Sequence, residues 1–547
     1  MISFERPACI ALVRPPVLQM KRSLSSYGAI LPVGLAYVAA VLRDAGHTLQ
    51  VIDAPGDGID RGEVVQSPIG KLWRSGLSPE EIVARLDPGT EILGISHMFL
   101  HEWPTVRQIA ELAKERLPDL RVVLGGENAT AFWHWVFKES DAVDCCVLGE
   151  GEATMLEVVS RLRSGEGLDD LEGVATPSSK AGAVQLSRRR LDLSELPRPA
   201  WEYFPVDRYM ASADSFGVHR GRSIPILATR GCPYQCTFCS SPNMWTTRYV
   251  CRDPADVVDE IKSYVERYGV NNVNFCDLTA IVKKSWIIEF CDLLEKERLD
   301  LTWQLPTGTR TEALDEDVLR RLYATGCRNI TYAPENGSKR MLQLIRKQVL
   351  LPRMLDCIRA ARRTRIVTRV NIIIGHPKER WRDIRRSLEF LFKAALAGCQ
   401  DAAVMIFAPY PGSSDFEEMR AQGKLEVTED YYYLALARSG LSSRTFSPAL
   451  STRQLIFTQY LLLLAFYSTA YLTRPWRILG LIRSLLTGHE TTQLDQLLRT
   501  KYRQWFGGRR DPKRDLPPGP EGPGAVEDVK LRGGGSAEEA REVTRVS

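Results

Sequence analysis

The run Thr229-Arg-Gly-Cys-Pro-Tyr-Gln-Cys-Thr-Phe-Cys-Ser240 places three cysteines, Cys232, Cys236 and Cys239, within eight residues. Their spacing is C-x3-C-x2-C, and the aromatic Phe238 directly precedes the last cysteine. Three thiolates can hold three irons of a [4Fe–4S] cluster and leave the fourth iron open for a second molecule. The run therefore predicts an iron–sulfur cluster with an open iron.

A structural zinc site is the main alternative for such a group of thiols, and the sequence disfavours it. Zinc normally takes four ligands, arranged as two separated pairs. The chain has no second Cys-x2-Cys pair, and the nearest spare ligands are His219 and Cys251. Its 12 cysteines are mostly scattered singly among 547 residues, which argues against a disulfide framework and for a reducing, intracellular compartment.

Residues 1–165 alternate strand-like and helix-like segments. Strands are expected at 9–13, 49–53, 92–96, 121–126 and 142–148, with helices at 33–45 and 106–117. Repeated strand–loop–helix units predict an α/β fold with a doubly wound, Rossmann-like parallel sheet. Ligands bind at the carboxyl ends of such strands. Those ends carry Asp53, Ser96-His97, Gly125-Gly126-Glu127 and Gly149-Glu150.

A second alternating region covers residues 211–420. Six strands are expected at 224–229, 272–275, 301–304, 329–333, 369–374 and 402–407, separated by helices at 254–268, 285–298, 315–325, 351–363 and 381–397. This pattern predicts a partial (β/α)6 barrel, with the cysteine run after the first strand at the catalytic face. The other segments are predicted to be a linker at 166–210, a helical C-terminal region at 421–507 and a disordered tail at 508–547.

The cysteine run resembles the motif C-x3-C-x-aromatic-C of the radical S-adenosylmethionine (SAM) enzymes. The resemblance implies that Cys232, Cys236 and Cys239 hold the cluster, that the open iron binds SAM, and that Phe238 adjoins the SAM site. It implies that reduction cleaves SAM to methionine and a 5′-deoxyadenosyl radical. An electron donor of the flavodoxin or ferredoxin type is then required.

Further segments of the second region resemble SAM-binding elements of the same family. Asp277 ends the second strand, Glu335 lies in the segment 332–338, and Gly375 and Pro377 lie in Asn371-Ile-Ile-Ile-Gly-His-Pro377. Two departures occur: asparagine replaces the serine of the family's Glu-Ser-Gly element, and Asn371 replaces the first glycine of Gly-x-Ile-x-Gly-x-Pro. The resemblance implies contacts to the amine, ribose or adenine of SAM. Taken singly, each residue could be a helix cap, a surface ion or a turn.

Residues 8–160 resemble the cobalamin-binding domain that precedes the barrel in many radical SAM enzymes. The shared segments are 31–37, 45–47, 51–53, 123–130 and 147–154. The cobalamin-binding residues implied by the resemblance are Leu31, Pro32, Gly34, Ser96, His97, Met98, Gly125, Gly126, Glu127, Gly149, Glu150, Gly151 and Glu152. The motif Asp-x-His-x-x-Gly, which supplies an axial cobalt ligand in other cobalamin proteins, is absent. A base-off cobalamin without a protein histidine on cobalt is therefore expected.

Two alternatives stay open for this domain. His97 could face the lower side of the corrin with Met98 and Phe99, or it could be a structural histidine. The whole domain could also be a vestigial Rossmann-like module that binds nothing. The other cysteines form no close ligand pattern, so one cluster and no auxiliary cluster is expected.

The C-terminal region is rich in aromatic residues, among them Tyr431-Tyr-Tyr433, Phe457 and Trp476. The segment 466–478 resembles one in cobalamin radical SAM enzymes that act on lipids or porphyrin precursors. Aromatic residues at helical spacing are usually core, which is the favoured interpretation. The alternative is a lid or a membrane-surface patch that admits an apolar substrate. Polar residues interrupt the apolar stretch 455–472, which favours a buried or interfacial helix over a membrane span.

Composition excludes some functional classes. The formal net charge of +5 gives no global electrostatic support for binding nucleic acid. Residues 1–7 lack the basic start and the following apolar core of a signal peptide. A cytoplasmic location is expected, with attachment to a membrane surface left open.

Together these features predict a cobalamin-dependent radical SAM methyltransferase that acts on a small, lipid-like or aromatic molecule. The resemblance implies that one SAM methylates cobalamin, and that a radical from a second SAM abstracts hydrogen from an unactivated carbon, which then takes the methyl group. The alternatives are cyclisation, ring contraction or oxidation by the same cofactors, and a non-catalytic cobalamin-binding sensor. A methylthiotransferase would need a second three-cysteine cluster, which residues 1–221 do not supply. No catalytic residue beyond the cofactor ligands is assigned.

Overall fold

The computed structural model describes residues 7–20, 30–180, 184–186, 192–212, 216–434, 436, 444–488 and 490–506. The predicted disordered tail at 508–547 lies outside these ranges. The described chain has the predicted mixed α/β architecture: an N-terminal sheet domain, a barrel of parallel strands, and a helical C-terminal part.

The N-terminal domain is built around a six-stranded sheet with the order β3-β1-β6-β7-β8-β9. Its strands, with those of a smaller sheet, are β1 (Cys9–Arg14), β2 (Val17–Met20), β3 (Thr48–Asp53), β4 (Gly62–Ser67), β5 (Gly70–Ser75), β6 (Ile92–Ser96), β7 (Arg121–Gly125), β8 (Cys145–Val147) and β9 (Val174–Ala175). The helices are α1 (Val33–Asp44), α2 (Ala54–Asp57), α3 (Pro79–Ala84), α4 (Trp103–Arg116), α5 (Glu127–Glu139) and α6 (Gly151–Ser164). The central strand β1 has the continuous buried run expected of a parallel strand covered on both faces.

The parallel strands of this sheet reverse their order between β1 and β6. The chain runs from β1 to β3 on one side and then returns to β6 on the other. Ligands of such sheets bind outside the carboxyl ends of the strands, at the point of reversal. The prediction of a doubly wound sheet is confirmed, and the loops after β6, β7 and β8 lie on its binding edge.

Two features of the first domain differ from the sequence prediction. Strands β2, β5 and β4 form a small antiparallel sheet, in an order and at positions that were not predicted. Its strands are short and contain only two buried residues, Leu18 and Leu72, so they lack the apolar periodicity that identifies the others. The segment 166–210, predicted as a linker, supplies β9, which pairs antiparallel with β8, and the start of α7 (Val206–Ala211).

The second domain contains six parallel strands in the sequential order β10-β13-β14-β15-β16-β17. Its strands, with the short pair β11 and β12, are β10 (Ser223–Ile226), β11 (Thr229–Arg230), β12 (Val250–Cys251), β13 (Asn272–Phe275), β14 (Thr302–Thr309), β15 (Cys327–Glu335), β16 (Val367–Ile374) and β17 (Asp401–Ile406). The helices are α8 (Ser241–Trp245), α9 (Pro254–Tyr268), α10 (Lys284–Glu297), α11 (Glu316–Ala324), α12 (Lys339–Leu344), α13 (Leu351–Arg363) and α14 (Trp381–Ala397). The predicted partial barrel is confirmed. The helix α12, which follows the fourth barrel strand, was not predicted.

Alternation along the barrel strands separates an apolar face from a polar one. In β16, Val370, Ile372 and Ile374 are buried in the same cluster as Ile358 of α13 and Leu391 of α14. Arg369, Asn371 and Ile373 occupy the alternate positions and point to the opposite face of the strand. The two polar side chains on this face are suited to a polar ligand.

The C-terminal part consists of α15 (Ser414–Ala421), α16 (Glu429–Tyr432), α17 (Thr452–Leu472), α18 (Trp476–Thr487) and α19 (Gln493–Phe506). Two large hydrophobic clusters each contain residues of the first domain and of the parts that follow it. One cluster joins Leu12 of the first domain to Phe275 of the barrel. Another joins Phe132 of α5 to Phe416 of α15 and Tyr431 of α16. The two domains are therefore held together by shared core packing.

Candidate active site

The cysteine loop begins directly after β11, and a buried carboxylate holds its start. Asp277, which follows β13, accepts hydrogen bonds through Oδ1 from the amides of Ala228 (3.0 Å) and Thr229 and from the Thr229 hydroxyl (2.5 Å). Burial raises the pKa of Asp277 to about 6. Its Oδ2 is also buried and has no hydrogen-bond partner among the described residues. One oxygen thus fixes the loop and the other is available to a ligand.

The three cysteine side chains of the loop are partly exposed, and no disulfide involves any of the 12 cysteines, all of which are described. In the described part of the chain, no three His, Cys, Asp or Glu side chains converge on a point as the ligands of one metal ion would. Thiolates of a cluster bind different irons and need not converge in this way. The donor set therefore fits a [4Fe–4S] cluster better than a single zinc ion.

The middle of the cysteine loop is fixed by a network that the sequence did not predict. Asp415 of α15 accepts hydrogen bonds through Oδ2 from the Thr237 hydroxyl (2.9 Å) and from His376 Nε2 (2.9 Å). The Lys378 amide donates to His376 Nδ1 (3.2 Å), which places the histidine proton on Nε2. The Asp415 amide donates to the Thr237 carbonyl. Two loops 139 positions apart, at 237 and 376, thus share one buried carboxylate.

We expect the Asp415→Ala variant to hold its cluster less firmly. The substitution leaves Thr237 and His376 without their acceptor and costs about 3 kcal/mol of stability. The measurement is the rate at which a chelator removes iron from the reconstituted protein, with thermal unfolding as a second readout. The exposed neighbour Glu417 on the same helix gives the control Glu417→Ala. Equal rates of iron loss in both variants would contradict the role of the network.

The predicted SAM residue Glu335 ends β15 in the left-handed region, with φ of 67°, which is rare for a residue other than glycine. Its Oε1 lies 3.1 Å from Lys347 Nζ. Burial lowers the pKa of Lys347, but the nearby Glu335 and Cys236 outweigh burial, so the pKa lies above its ordinary value. Sequence reasoning missed Lys347, a cation beside the cluster loop. The only signal for it was the basic pair Arg346-Lys347 shortly after Glu335.

The segment around Gly375 and Pro377 is tied to Asn336. The Gly375 amide donates to Glu379 Oε2 (2.5 Å), and Asn336 Nδ2 donates to Glu379 Oε1 (2.7 Å). Burial raises the pKa of Glu379 to about 7. Asparagine at 336, where the family pattern has serine, thus bridges the ends of β15 and β16. Pro377 is half-buried.

Phe238 is half-buried and packs against Met341, Leu342 and Ile345 of the α12 segment. The amide of Thr237 donates to the Ile345 carbonyl (3.1 Å). The aromatic residue of the cysteine motif therefore anchors the loop to the outer wall, as well as lying next to Cys239.

The barrel interior holds buried polar atoms that suit SAM. Asn371 Oδ1 and Arg369 Nε, both on the polar face of β16, have no hydrogen-bond partner within the described ranges, and neither has Asp277 Oδ2. Orphaned buried polar atoms are costly, so they indicate a missing partner. The amine, hydroxyls and adenine of SAM offer such partners. One of these unpartnered atoms belongs to Asn371, the residue that departs from the family pattern.

The glycine loops of the first domain leave room for a ligand. A Cβ placed on Gly34 or Gly125 would have no heavy atom within 4 Å. Met98 and Phe99, at the end of β6, are exposed apolar side chains. Gly126 has φ of 118°, and a Cβ there would lie 2.8 Å from the His97 carbonyl. Open glycines beside exposed apolar groups fit a large, flat cofactor. Ser96 is half-buried and Pro32 partly exposed on the same edge.

The structure places His97 in the interior, which favours the structural interpretation. Its side chain is 0% exposed, its Nε2 lies 2.8 Å from Asn128 Nδ2, and its ring lies 5.6 Å from that of Trp103. Burial lowers the pKa of His97 to about 3. The imidazole is neutral and has no exposed surface to offer to cobalt. Leu31 and Gly149 are likewise buried, whereas Gly151 is half-buried.

Carboxylates predicted to bind cobalamin instead contact the cysteine loop. Arg230, two residues before Cys232, forms ion pairs with Glu152 and with Glu150, the latter at 3.9 Å. The Ser240 hydroxyl, one residue after Cys239, donates to Glu127. Burial raises the pKa of Glu127. The two predicted sites thus meet: loops from the carboxyl ends of β7 and β8 touch both ends of the cysteine loop.

Comparison with known proteins matches these two sites to two families. The model of the radical SAM superfamily matches residues 226–391, and the model of the B12-binding domain matches residues 23–159. An uncharacterized methyltransferase of Pyrococcus horikoshii is 26% identical over 410 residues, which cover 75% of this chain and 82% of the relative. An anaerobic magnesium-protoporphyrin IX monomethyl ester cyclase of Rubrivivax gelatinosus is 27% identical over 410 residues, 74% and 69% of the two chains.

The fold is also similar to a solved structure. The radical SAM methyltransferase TsrM of Kitasatospora setae, solved with cobalamin and a [4Fe–4S] cluster, superposes with a TM-score of 0.61. The match covers 84% of this chain and 91% of that one, at 17% identity. At this identity the likeness shows a common arrangement of the two domains and of the helices that follow.

Proposed function

Because the chain joins a B12-binding domain to a radical SAM domain and so belongs to the cobalamin-dependent radical SAM enzymes, we propose that it transfers a methyl group from SAM, by way of cobalamin, to an unactivated carbon of a small molecule. The observation that carries the proposal is the direct contact between the two sites, Arg230 with Glu152 and Ser240 with Glu127. Radical chemistry and methyl donation must occur at one substrate, so the two cofactor sites have to adjoin.

The cofactors supply the bond-breaking chemistry: the cluster and SAM a 5′-deoxyadenosyl radical, and cobalamin the methyl group. The residues of this chain hold and align them. Cys232, Cys236 and Cys239 are the cluster ligands, and Asp277 and Asp415 fix their loop. Lys347 places a positive charge beside Cys236, where it suits the carboxylate of SAM. The shared hydrophobic clusters hold the two domains together.

The proposed set of SAM contacts is Phe238, Asp277, Glu335, Gly375 and Pro377, joined by Lys347, Arg369 and Asn371. For cobalamin, the open positions Gly34 and Gly125, exposed Met98 and the turn glycine Gly126 are proposed as direct contacts, with Glu127, Glu150 and Glu152 as residues that position the loops. A neutral, buried His97 supports the expectation of a cobalamin without a histidine ligand.

Cyclisation or oxidation without methyl transfer is the second candidate, since one similar protein is a porphyrin ester cyclase. The same two sites would serve that reaction. The difference lies in whether the methyl group leaves SAM, and this is directly measurable.

Methyl-labelled SAM separates these functions. The protein, reconstituted anaerobically with iron, sulfide and cobalamin, is given labelled SAM and a chemical reductant. We expect label to pass by way of cobalamin into a methylated third molecule, together with S-adenosylhomocysteine and 5′-deoxyadenosine, whereas label that stays on cobalamin counts against methyl transfer to carbon. If 5′-deoxyadenosine forms but the label stays on methionine, the methyltransferase proposal fails, and cyclisation or oxidation without methyl transfer is favoured. If neither product forms with the cluster present, the sensor alternative is favoured over an enzyme.

The electron donor is proposed to be an acidic one-electron carrier of flavodoxin or ferredoxin type. A surface cavity of about 710 Å³ lies against the cysteine loop, and its lining includes Tyr234, Lys339 and Arg346. The Arg346 carbonyl lies 4.0 Å from Cys236 Sγ. A basic surface this close to a cluster ligand supports docking of an acidic partner. The 12 unpaired thiols support a reducing, cytoplasmic location.

A further inference from the structure

The helix α17 is apolar on two opposite faces, and only one of them is covered. Its inner face packs in the core through Leu455, Leu462 and Phe466. On the outer face, Phe457, Tyr460 and Leu464 are exposed at the helical spacing i, i+3, i+7. A helix that is apolar all round is normally buried on all sides. The outer face of α17 therefore lacks a partner in the described chain.

The helix α18 buries even less. Of its twelve residues, all of them described, Ser484 alone is buried. Leu479, Ile482 and Leu486 are exposed and follow each other at i, i+3 and i+7, so they form one apolar stripe. Most helices are stabilised by packing of such a stripe. We call this stripe and the outer face of α17, residues Phe457, Tyr460 and Leu464, the apolar faces.

By length and composition, α17 could cross a membrane: it has 21 residues and a mean hydropathy of 1.5. Its inner contacts argue against crossing. Gln459 Nε2 donates to the Val404 carbonyl of β17 (2.6 Å), and the Tyr467 hydroxyl donates to Asp401 Oδ1 at the start of β17 (2.5 Å). A spanning helix would have to leave the barrel and break these bonds. The helix can present its outer face to a surface without moving.

The segment that carries the apolar faces contains basic residues and no acidic ones. Residues 451–488 contain four arginines and no lysine, aspartate or glutamate. Arg474 and Arg477 are used inside the protein, since they donate to the carbonyls of Ala395 (2.7 Å) and Gln400 (2.6 Å). Arg453 and Arg483 are exposed. Exposed arginines beside apolar side chains match a surface that is both apolar and negatively charged.

Two other partners fit less well. The tail at 508–547 contains no aromatic residue, isoleucine or methionine, so it offers little apolar surface. A second copy of the chain would bring the same arginines together, which is unfavourable. Exposed Trp476, at the start of α18, is a residue typical of helices at a lipid–water interface.

We propose that the apolar faces of α17 and α18 bind the surface of a lipid bilayer that contains anionic lipids, with the helices lying on the membrane. The protein is attached to the surface rather than spanning it. The inference does not depend on the proposed reaction, because it rests on surface residues outside the two cofactor sites. It corrects the expectation that all the C-terminal aromatic residues are core: Tyr431 and Phe466 are buried, but Phe457 and Trp476 are exposed.

The test is sedimentation of the full-length holoprotein with vesicles of phosphatidylcholine alone or mixed with phosphatidylglycerol. We expect the mixed vesicles to bind at least about tenfold more tightly, since each basic residue near such a surface contributes about 1 kcal/mol. Leu479→Glu should abolish binding. The matched control is Leu350→Glu in the barrel, because Leu350 is 66% exposed and Leu479 is 69% exposed. Arg483→Glu should weaken binding to mixed vesicles only.

Three results would overturn the proposal. Equal loss of binding in Leu479→Glu and Leu350→Glu would mean that the apolar faces are not the contact. The wild-type protein could instead be a dimer in light scattering that does not bind vesicles. If Leu479→Glu dissociates that dimer, the apolar faces contact a second copy of the chain. Protein that stays with membranes through an alkaline carbonate wash would be embedded rather than surface-bound. Circular dichroism and thermal unfolding confirm that each variant is folded.

Discussion

Replacing Cys236 with alanine should abolish SAM cleavage while leaving cobalamin binding intact. The three cysteines of the loop are the only thiols close enough in sequence to share a cluster, so the loss of one leaves two ligands for four irons. Loss of a supporting residue around a metal site costs about 10- to 100-fold. Loss of a ligand should exceed this, so we expect 5′-deoxyadenosine formation to fall by more than about 100-fold.

Two readouts separate the cluster from the corrin in this variant. Iron and sulfide content, with the visible absorption of the cluster, should collapse, whereas the corrin bands of the loaded protein should persist. The B12-binding domain is the other domain, and its proposed cobalamin contacts, open Gly125 and exposed Met98, are unaffected by the change.

Cys251 provides a close control for the Cys236 variant. It lies in β12 and pairs across the short sheet with Thr229, immediately before the cysteine loop. The Cys251→Ala variant should keep a full cluster and its SAM cleavage. If both variants lost the cluster equally, Cys251 would have to be counted as a ligand, and the motif interpretation with three cysteines would be wrong.

The sequence predicted those parts of the molecule that local patterns encode. The alternating apolar segments indicated both sheets, since buried parallel strands such as β1 need continuous apolar runs. The cysteine spacing indicated the loop, and glycines such as Gly126, with its positive φ, marked the turns at the binding edge. Each of these signals lies within about ten residues, which is the range in which periodicity and turn chemistry act.

Contacts between segments that are far apart in the sequence could not be predicted from local patterns. Asp415 holds Thr237, and Lys347 lies beside Cys236, although nothing in the local sequence connects them. His97 could be a ligand or a core residue by sequence, and only its burial against Asn128 decides between them. The aromatic residues of α17 show the same limit, because periodicity locates two apolar faces but does not tell which one is covered.

Replacing Arg230 with methionine should uncouple the two domains. Arg230 and its partner Glu152 are both nearly buried, with 5% and 6% of their side chains exposed, and Glu150 is close by. The guanidinium also lies over the ring of Tyr37, 5.2 Å from its centre. Removing one member of a buried ion pair leaves a charge in a poorly solvated place and costs roughly 3–5 kcal/mol.

The functional effect should fall on coupling more than on SAM cleavage. The cluster ligands remain, so 5′-deoxyadenosine should still form, but transfer of labelled methyl beyond cobalamin should drop because the two sites no longer hold their alignment. The ratio of 5′-deoxyadenosine to methylated product is the diagnostic measurement, and it should rise. A parallel fall in both products would mean that Arg230 supports only the cysteine loop, and that the domain contact has no role in alignment.

A double substitution tests whether the pair acts as a pair. In Arg230→Met with Glu152→Met, two apolar side chains of similar size replace the ions, and such replacements of buried pairs are often neutral for stability. Stability should therefore recover relative to Arg230→Met alone. Lys262 is the control: it pairs with Glu297 at 2.9 Å, the two side chains are 43% and 33% exposed, and exposed pairs contribute about 0–1 kcal/mol. Lys262→Met should change stability little, because water can solvate the exposed Glu297 carboxylate that remains, whereas Glu152 beside Arg230 is only 6% exposed.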